Sequence, residues 1–209
     1  MLRARDLRVA LGLDWGNASP GCVVWGAALA DGHVTIFDEY KFQRMTAKDV
    51  AFAIKEKCVE WRLPRVPPVY CDPTLLPAKH GELGEWIGLT LARHGVSVVR
   101  VSNDRKNGWQ RVHEALAPCS HTDHAPRPWL SIHPRCKYLI RTLPLMVQDP
   151  HDAEDLDSDS DDHACDAVRY LLMGGLRPSR PQSVTTAPVP YSLRWYRQKF
   201  ATASEGVLR

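Results

Sequence analysis

Three aspartates stand where a fold of alternating strands and helices would gather them. Asp14 lies near the end of an apolar run, Val9 to Trp15, and Asp72 just past another, Val66 to Cys71. Asp166 lies in the first turns of a segment, Asp162 to Gly174, whose apolar residues recur at helical spacing. One turn before it stand Asp162 and His163. Carboxylates gathered at the ends of adjacent parallel strands repel one another unless a positive charge joins them. With oxygen ligands the natural counter-charge is a divalent cation, Mg²⁺ or Mn²⁺. Two such ions, about 3.5–4 Å apart, would clamp a phosphodiester for in-line attack, one activating water and the other stabilising the leaving 3′-oxygen. Such a site needs few other catalytic side chains, because phosphoryl transfer is mostly positioning and charge stabilisation.

Taken singly, most of these acids have ordinary structural roles. An aspartate after a strand is usually a turn or cap residue, which covers Asp14, and Asp72 before Pro73 is a common turn signal. Asp162 suits a helix N-cap. Asp166 fits a structural account worst, because an acid inside an otherwise apolar helix face has little structural reason to be there.

The elements that must position these residues follow from pattern. Val9 to Trp15, Gly21 to Ala30 and His33 to Tyr40 read as three consecutive strands, with Asp31-Gly32 a hairpin signal between the last two. Thr46 caps a helix running to about Trp61, with Val50, Ile54, Cys58 and Trp61 on its apolar face. Val66 to Cys71 is a strand, Glu82 to His94 a helix, Val96 to Val101 a strand and Arg105 to Leu116 a helix. Trp129 to His133 is extended, Arg135 to Val147 helical with Pro144 near its end, and Asp149 to Asp162 an acidic loop before the last helix. This order predicts an α/β protein: a mixed sheet of three antiparallel strands followed by parallel ones, with helices on both faces. Residues 1–8 read as a basic linker remnant, 9–175 as the domain, and 176–209 as a proline-punctuated, partly disordered tail with a short helix from Leu193 to Thr202.

The chain has 209 residues and a formal net charge of +3, so any nucleic-acid contact must come from local patches. Six cysteines include no C-x-x-C pair, and neither a secretory signal nor an apolar run long enough to span a bilayer is visible. The cysteines read as reduced thiols of a cytosolic protein.

Five segments in order, GLDWG (Gly12 to Gly16), YCDPT (Tyr70 to Thr74), GWQRVHEAL (Gly108 to Leu116), HPRCKYLIRTLP (His133 to Pro144) and EDLDSDSDDHACDAVRYLL (Glu154 to Leu172), resemble the nuclease domain of the tailed-phage large terminase subunit. The most specific part is D-D-H-x-x-D-A-x-R-Y after an acidic loop. The resemblance covers roughly Val9 to Gly175. It implies an RNase H-like fold and a metal-dependent endonuclease that cuts double-stranded concatemeric phage DNA during packaging. It also implies Asp14, Asp72 and Asp166 as catalytic metal ligands, with His163 or Asp162 as a further ligand from the last helix. Implied too are two Mg²⁺ or Mn²⁺ ions and a location in the cytoplasm of the infected bacterium. The implied partners are DNA, a packaging ATPase domain, the portal and the small terminase subunit. The chain carries no G-x-x-x-x-G-K-[ST] motif, so it reads as an isolated nuclease domain.

Candidate phosphate contacts are Lys41, Arg44, Lys48, Arg105, Lys106, Arg135, Lys137 and Arg141, with Arg105 and Lys106 favoured because they follow the fifth strand. Lys41 and Arg44 come next. Arg194, Arg197 and Lys199 interleave with Trp195, Tyr196 and Phe200 in the tail. Cys119, His121, His124, His133 and Cys136 invite a zinc reading, but their spacing matches no common site. A RuvC-type resolvase shares the fold and a similar pair on its last helix. An actin/sugar-kinase-like phosphotransferase is a second enzyme class, suggested by GLDWGN and Gly174-Gly175. A non-catalytic module docking on a portal or small subunit is a third reading.

Overall fold

A computed structural model describes residues 7–16, 19–29, 32–77, 86–119, 127–147 and 161–176. The chain divides into Met1–Ser179 and Arg180–Arg209. The tail helix, the tail cations and aromatics, and the acidic loop up to residue 160 lie outside the described residues.

Three strands open the fold: β1 (Arg8–Asp14), β2 (Gly21–Ala28) and β3 (Val34–Phe42). They pair antiparallel in sequence order, and Gly32, at φ +87°, turns the chain between the last two. Helix α1 (Ala47–Glu60) follows, and Thr46 caps it by accepting from the Asp49 amide. Strand β4 (Val69–Cys71) runs parallel to β1, helix α2 (Ile87–Arg93) follows, and β5 (Val98–Arg100) runs parallel to β4. Helix α3 (Arg105–Leu116) is capped by Asp104. Two short strands, β6 (Pro118–Cys119) and β7 (Arg127–Pro128), form a separate pair. Strand β8 (Leu130–Ile132) returns to the main sheet parallel to β3, and helices α4 (Lys137–Thr142) and α5 (His163–Gly174) complete the described fold. The main sheet has six strands in the order β5-β4-β1-β2-β3-β8. The three antiparallel strands, the parallel additions and the two-sided helices agree with the sequence expectation.

The apolar runs of β1 and β2 are continuous because both faces of the sheet are covered. Leu11, Leu13, Val23 and Trp25 pack with Val50, Ile54 and Leu91 on the α1/α2 side, and Ala10, Cys22 and Val24 pack with Trp109, Leu139, Val168 and Leu171 on the other. Strand alternation therefore turns the even positions of β1 toward α5. Gly12 faces α5 so closely that a β-carbon there would lie 1.9 Å from the Ala167 carbonyl oxygen. Farther along, a β-carbon on Gly175 would meet Ala10, and Arg8 donates to the Gly175 carbonyl. Helix α5 thus runs antiparallel to β1, and its N-terminus arrives at Asp14.

Beyond the short β6/β7 pair, which the sequence reading did not include, the differences from expectation lie at element ends. Val66 to Pro68 stays outside β4, as Pro67 and Pro68 supply no ladder donors. Helix α4 is shorter than the predicted Arg135 to Val147: Pro144 sits in a 3₁₀ turn, Leu143–Leu145, that ends it. Helix α2 is described only from Ile87, and residues 82–85 lie outside the described set. Among the described residues no helix is long and apolar enough to cross a membrane.

Candidate active site

The carboxyl ends of β1 and β4, the start of α3 and the N-terminus of α5 meet at one edge of the sheet. Asp14, the last residue of β1, continues the series Ala10 and Gly12 and so projects toward α5. There His163 Nδ1 donates to Asp14 Oδ2 at 2.6 Å. Burial raises the Asp14 carboxyl above its ordinary value, partly offset by the His163 hydrogen bond, with the nearby Asp166 charge adding to the rise. The same hydrogen bond raises His163.

Helix α5 is buried almost all round, from Ala164 to Met173, which makes its two charged residues conspicuous. Asp166 is 7% exposed and Arg169 fully buried. Arg169 Nε donates to Asp166 Oδ1 at 2.8 Å, a pair set by the i, i+3 spacing. The guanidinium lies over the rings of Tyr170 at 4.3 Å and Trp109 at 5.6 Å, and among the described residues its two Nη atoms have no hydrogen-bond partner. The second Asp166 oxygen faces Arg105 Nη1 at 3.7 Å.

Asp162 occupies the N-cap position, but its side chain makes no capping bond. This corrects the sequence reading of Asp162 as a cap. Its backbone is already helical, φ −92° and ψ −6°, so the side chain is not in the extended geometry from which a cap accepts. It is buried instead, and burial, followed by the charge of Asp166, pushes its carboxyl up to about 6. The neighbouring Asp161 is tied to α4, where Tyr138 and Arg141 both donate to it.

Asp72 follows β4. Its Oδ1 accepts from the Thr74 amide at 2.7 Å and from the Thr74 hydroxyl. That is the turn role expected of Asp-Pro, and it caps the short 3₁₀ turn Pro73–Leu75. Its Oδ2 accepts from the Tyr170 hydroxyl at 2.8 Å. Burial lifts the Tyr170 hydroxyl well above the usual phenol value, so it stays a donor.

Asp14, Asp162, His163 and Asp166 are therefore in mutual electrostatic reach, and Asp72 joins them through α5. Among the described residues no three His, Cys, Asp or Glu side chains converge as a formed metal cluster. Protein partners hold the acids instead: His163, Arg105, Arg169, Tyr170 and Thr74. The donor set still suits a hard divalent cation, being carboxylate oxygens with one imidazole beside them. Buried, mutually repelling acids at a helix N-terminus are the electrostatic setting that such an ion relieves.

Arg105 and Lys106 open α3 at this edge. Lys41 is register-matched to the site, since Asp14 pairs with Cys22 and Cys22 with Lys41. Its Nζ lies 4.0 Å from the Tyr138 ring centroid. Arg44 is exposed just past β3, at φ +54°. Of the zinc candidates, His121 and His124 lie outside the described residues. Cys136 is core-buried, its thiol pushed up to about 12 by burial, so it holds its proton rather than offering a thiolate. Sequence reasoning gave no role to Arg169, Tyr170, Trp109 or Thr74, although Arg169 stands at ion-pair spacing from Asp166.

No family model matches this sequence, and no curated protein matches it. The fold does match solved structures. The phage P22 large terminase nuclease domain aligns with a TM-score of 0.61 at 16% identity, over 80% of this chain and 81% of that one. The large terminase of the thermophilic bacteriophage D6E, in complex with ADP, gives 0.62 at 20% identity over 78% of this chain. This chain spans only 38% of that longer protein. The nuclease domain of the bacteriophage SPP1 large terminase, with bound Mn, gives 0.51 at 18% identity, over 81% and 87%. The chain therefore has the RNase H-like fold of phage large terminase nuclease domains.

Proposed function

We propose that this chain is a divalent-metal-dependent endonuclease that cuts double-stranded concatemeric phage DNA during genome packaging. The observation that carries this reading is the seating of α5 on Gly12, which brings Asp162, His163 and Asp166 to Asp14 beside the strand that carries Asp72. The SPP1 nuclease domain, of the same fold, holds Mn, which supports a divalent cation here. Asp14, Asp72 and Asp166 would hold Mg²⁺ or Mn²⁺, two ions in our reading, with Asp162 or His163 as the further ligand. A divalent cation held there would supply activation of water and charge stabilisation at the leaving oxygen of the phosphodiester.

The chain's own groups do the rest. His163 orients the Asp14 carboxylate. Arg169 fixes one oxygen of Asp166 from the protein side, and Arg105 supplies positive charge at the other. Arg105, Lys106, Lys41 and Arg44 bind backbone phosphates along the edge, which positions DNA without reading its sequence. The packaging ATPase domain, portal and small subunit would be partners in the host cytoplasm.

The test is incubation of supercoiled plasmid with Mn²⁺ or Mg²⁺. Nicked and linear products are expected from the wild type, with a loss of about 100-fold or more in Asp14→Ala, Asp72→Ala and Asp166→Ala. Full activity in any of the three removes that residue from the site. Cleavage confined to four-way junctions points to a resolvase instead.

A further inference from the structure

We propose that Tyr170 is a positioning residue for Asp72, its hydroxyl holding that carboxylate in the orientation in which it meets the divalent cation; this rests on the metal-dependent reading above. The bond from Tyr170 to Asp72 Oδ2, 2.8 Å long, joins residues 98 apart in sequence. Capping the turn at Pro73–Leu75 requires only the Thr74 bonds to Oδ1. The Tyr170 bond adds nothing to that turn. It reaches from α5, the helix that carries Asp166.

A carboxylate offers about four acceptor positions. The Thr74 amide, the Thr74 hydroxyl and Tyr170 fill three with neutral donors. Asp72 is thus oriented at both oxygens by neutral donors, and among the described residues no cation pairs with it and one position on Oδ2 is unfilled. Tyr170 is itself fixed. It is 3% exposed, and the Arg169 guanidinium lies 4.3 Å from its ring centroid. Consecutive residues of one helix therefore hold two acids on different elements, Arg169 holding Asp166 and Tyr170 holding Asp72. The placement of Asp72 relative to Asp166 is thus set by α5 as well as by the turn after β4. Partners that hydrogen-bond a metal-ligating carboxylate are commonly worth about 10–100-fold in metal affinity or activity.

Tyr170→Phe keeps the ring and its stack on Arg169 and removes one oxygen, a change of shape the core accepts. Calorimetric titration of Mn²⁺ into the DNA-free chain, with wild type, Tyr170→Phe, Asp72→Asn and the double variant, separates the possibilities. We expect Asp72→Asn to weaken Mn²⁺ binding strongly and Tyr170→Phe to weaken it about 10-fold. The double variant should bind as Asp72→Asn does. In the plasmid assay, Tyr170→Phe should raise the half-saturating Mn²⁺ concentration and leave the KM for DNA unchanged. Wild-type Mn²⁺ affinity in Tyr170→Phe, with Asp72→Asn impaired, overturns the role of Tyr170 and leaves the metal reading standing. A further loss on adding Tyr170→Phe to Asp72→Asn overturns it too, because the effect then bypasses Asp72. Absence of Mn²⁺ binding by the wild type, or wild-type binding by Asp72→Asn, overturns the metal reading of Asp72 itself.

Discussion

Asp162 shows what a buried acid costs when nothing in the fold neutralises it fully. Its carboxyl sits at about 6 against an ordinary 3.8, through burial first and the Asp166 charge second. A group raised on folding stabilises the fold fully below its unfolded value, and that stability is lost as pH rises through its folded value. Metal-free Asp162→Asn is therefore expected to be more stable than wild type at pH 8, by about 1–2 kcal/mol after allowing for solvent near the group. The gain should vanish below about pH 3, under the unfolded value of 3.8, where the wild-type carboxyl is protonated in both states. Urea unfolding at the two pH values measures this, and equal stability at pH 8 would mean that the carboxylate is better solvated than its burial implies. Asp166 stood out in the sequence as an acid on an apolar helix face, and the structure pairs it with buried Arg169 at i+3, a partner the sequence reading did not name. Asp162 was misread because residue type suggests a cap while backbone conformation decides whether one forms. Tyr170 and Thr74 were illegible, since bonds to Asp72 depend on which elements meet.

At the scale of elements, the site depends on how closely α5 lies on β1. Gly12→Ala would place a methyl group 1.9 Å from the Ala167 carbonyl oxygen and 2.9 Å from Leu171 Cβ. Neither neighbour is a flexible side-chain end, so the helix must shift. We expect a loss of about 3 kcal/mol and loss of cleavage as His163 and Asp166 leave Asp14. Thermal unfolding together with the plasmid assay checks this, and a Gly12→Ala variant with wild-type stability would contradict the packing described. The long periodic elements were readable: α3 spans Arg105–Leu116 as predicted, and α5 begins one residue after the predicted start. Strand β8 was readable as an extended segment, but its seat beside β3 was not. With only three residues, Leu130–Ile132, it carries no periodicity that names a partner.

For the whole molecule, a net charge of +3 leaves DNA affinity to local arrangement. The sheet register sets Lys41 beside Cys22 and so on one flank of Asp14, with Arg44 just past the end of that strand, while Arg105 lies 3.7 Å from Asp166. Lys41→Ala and Arg44→Ala are expected to weaken duplex binding about equally for all sequences, each lowering the slope of log affinity against log salt by about 1. Fluorescence anisotropy across a salt series, without divalent metal, measures this. An unchanged slope would place the duplex elsewhere.

The ends of β1 and β4 and the start of α5 are expected together to bind catalytic divalent metal. Anomalous diffraction from crystals soaked in Mn²⁺ tests it most directly. Anomalous density bounded by Asp14, Asp72 and Asp166, with Asp162 or His163 completing the set, is expected, along with its loss in Asp166→Asn. Saturating Mn²⁺ with no anomalous density among these residues would contradict it.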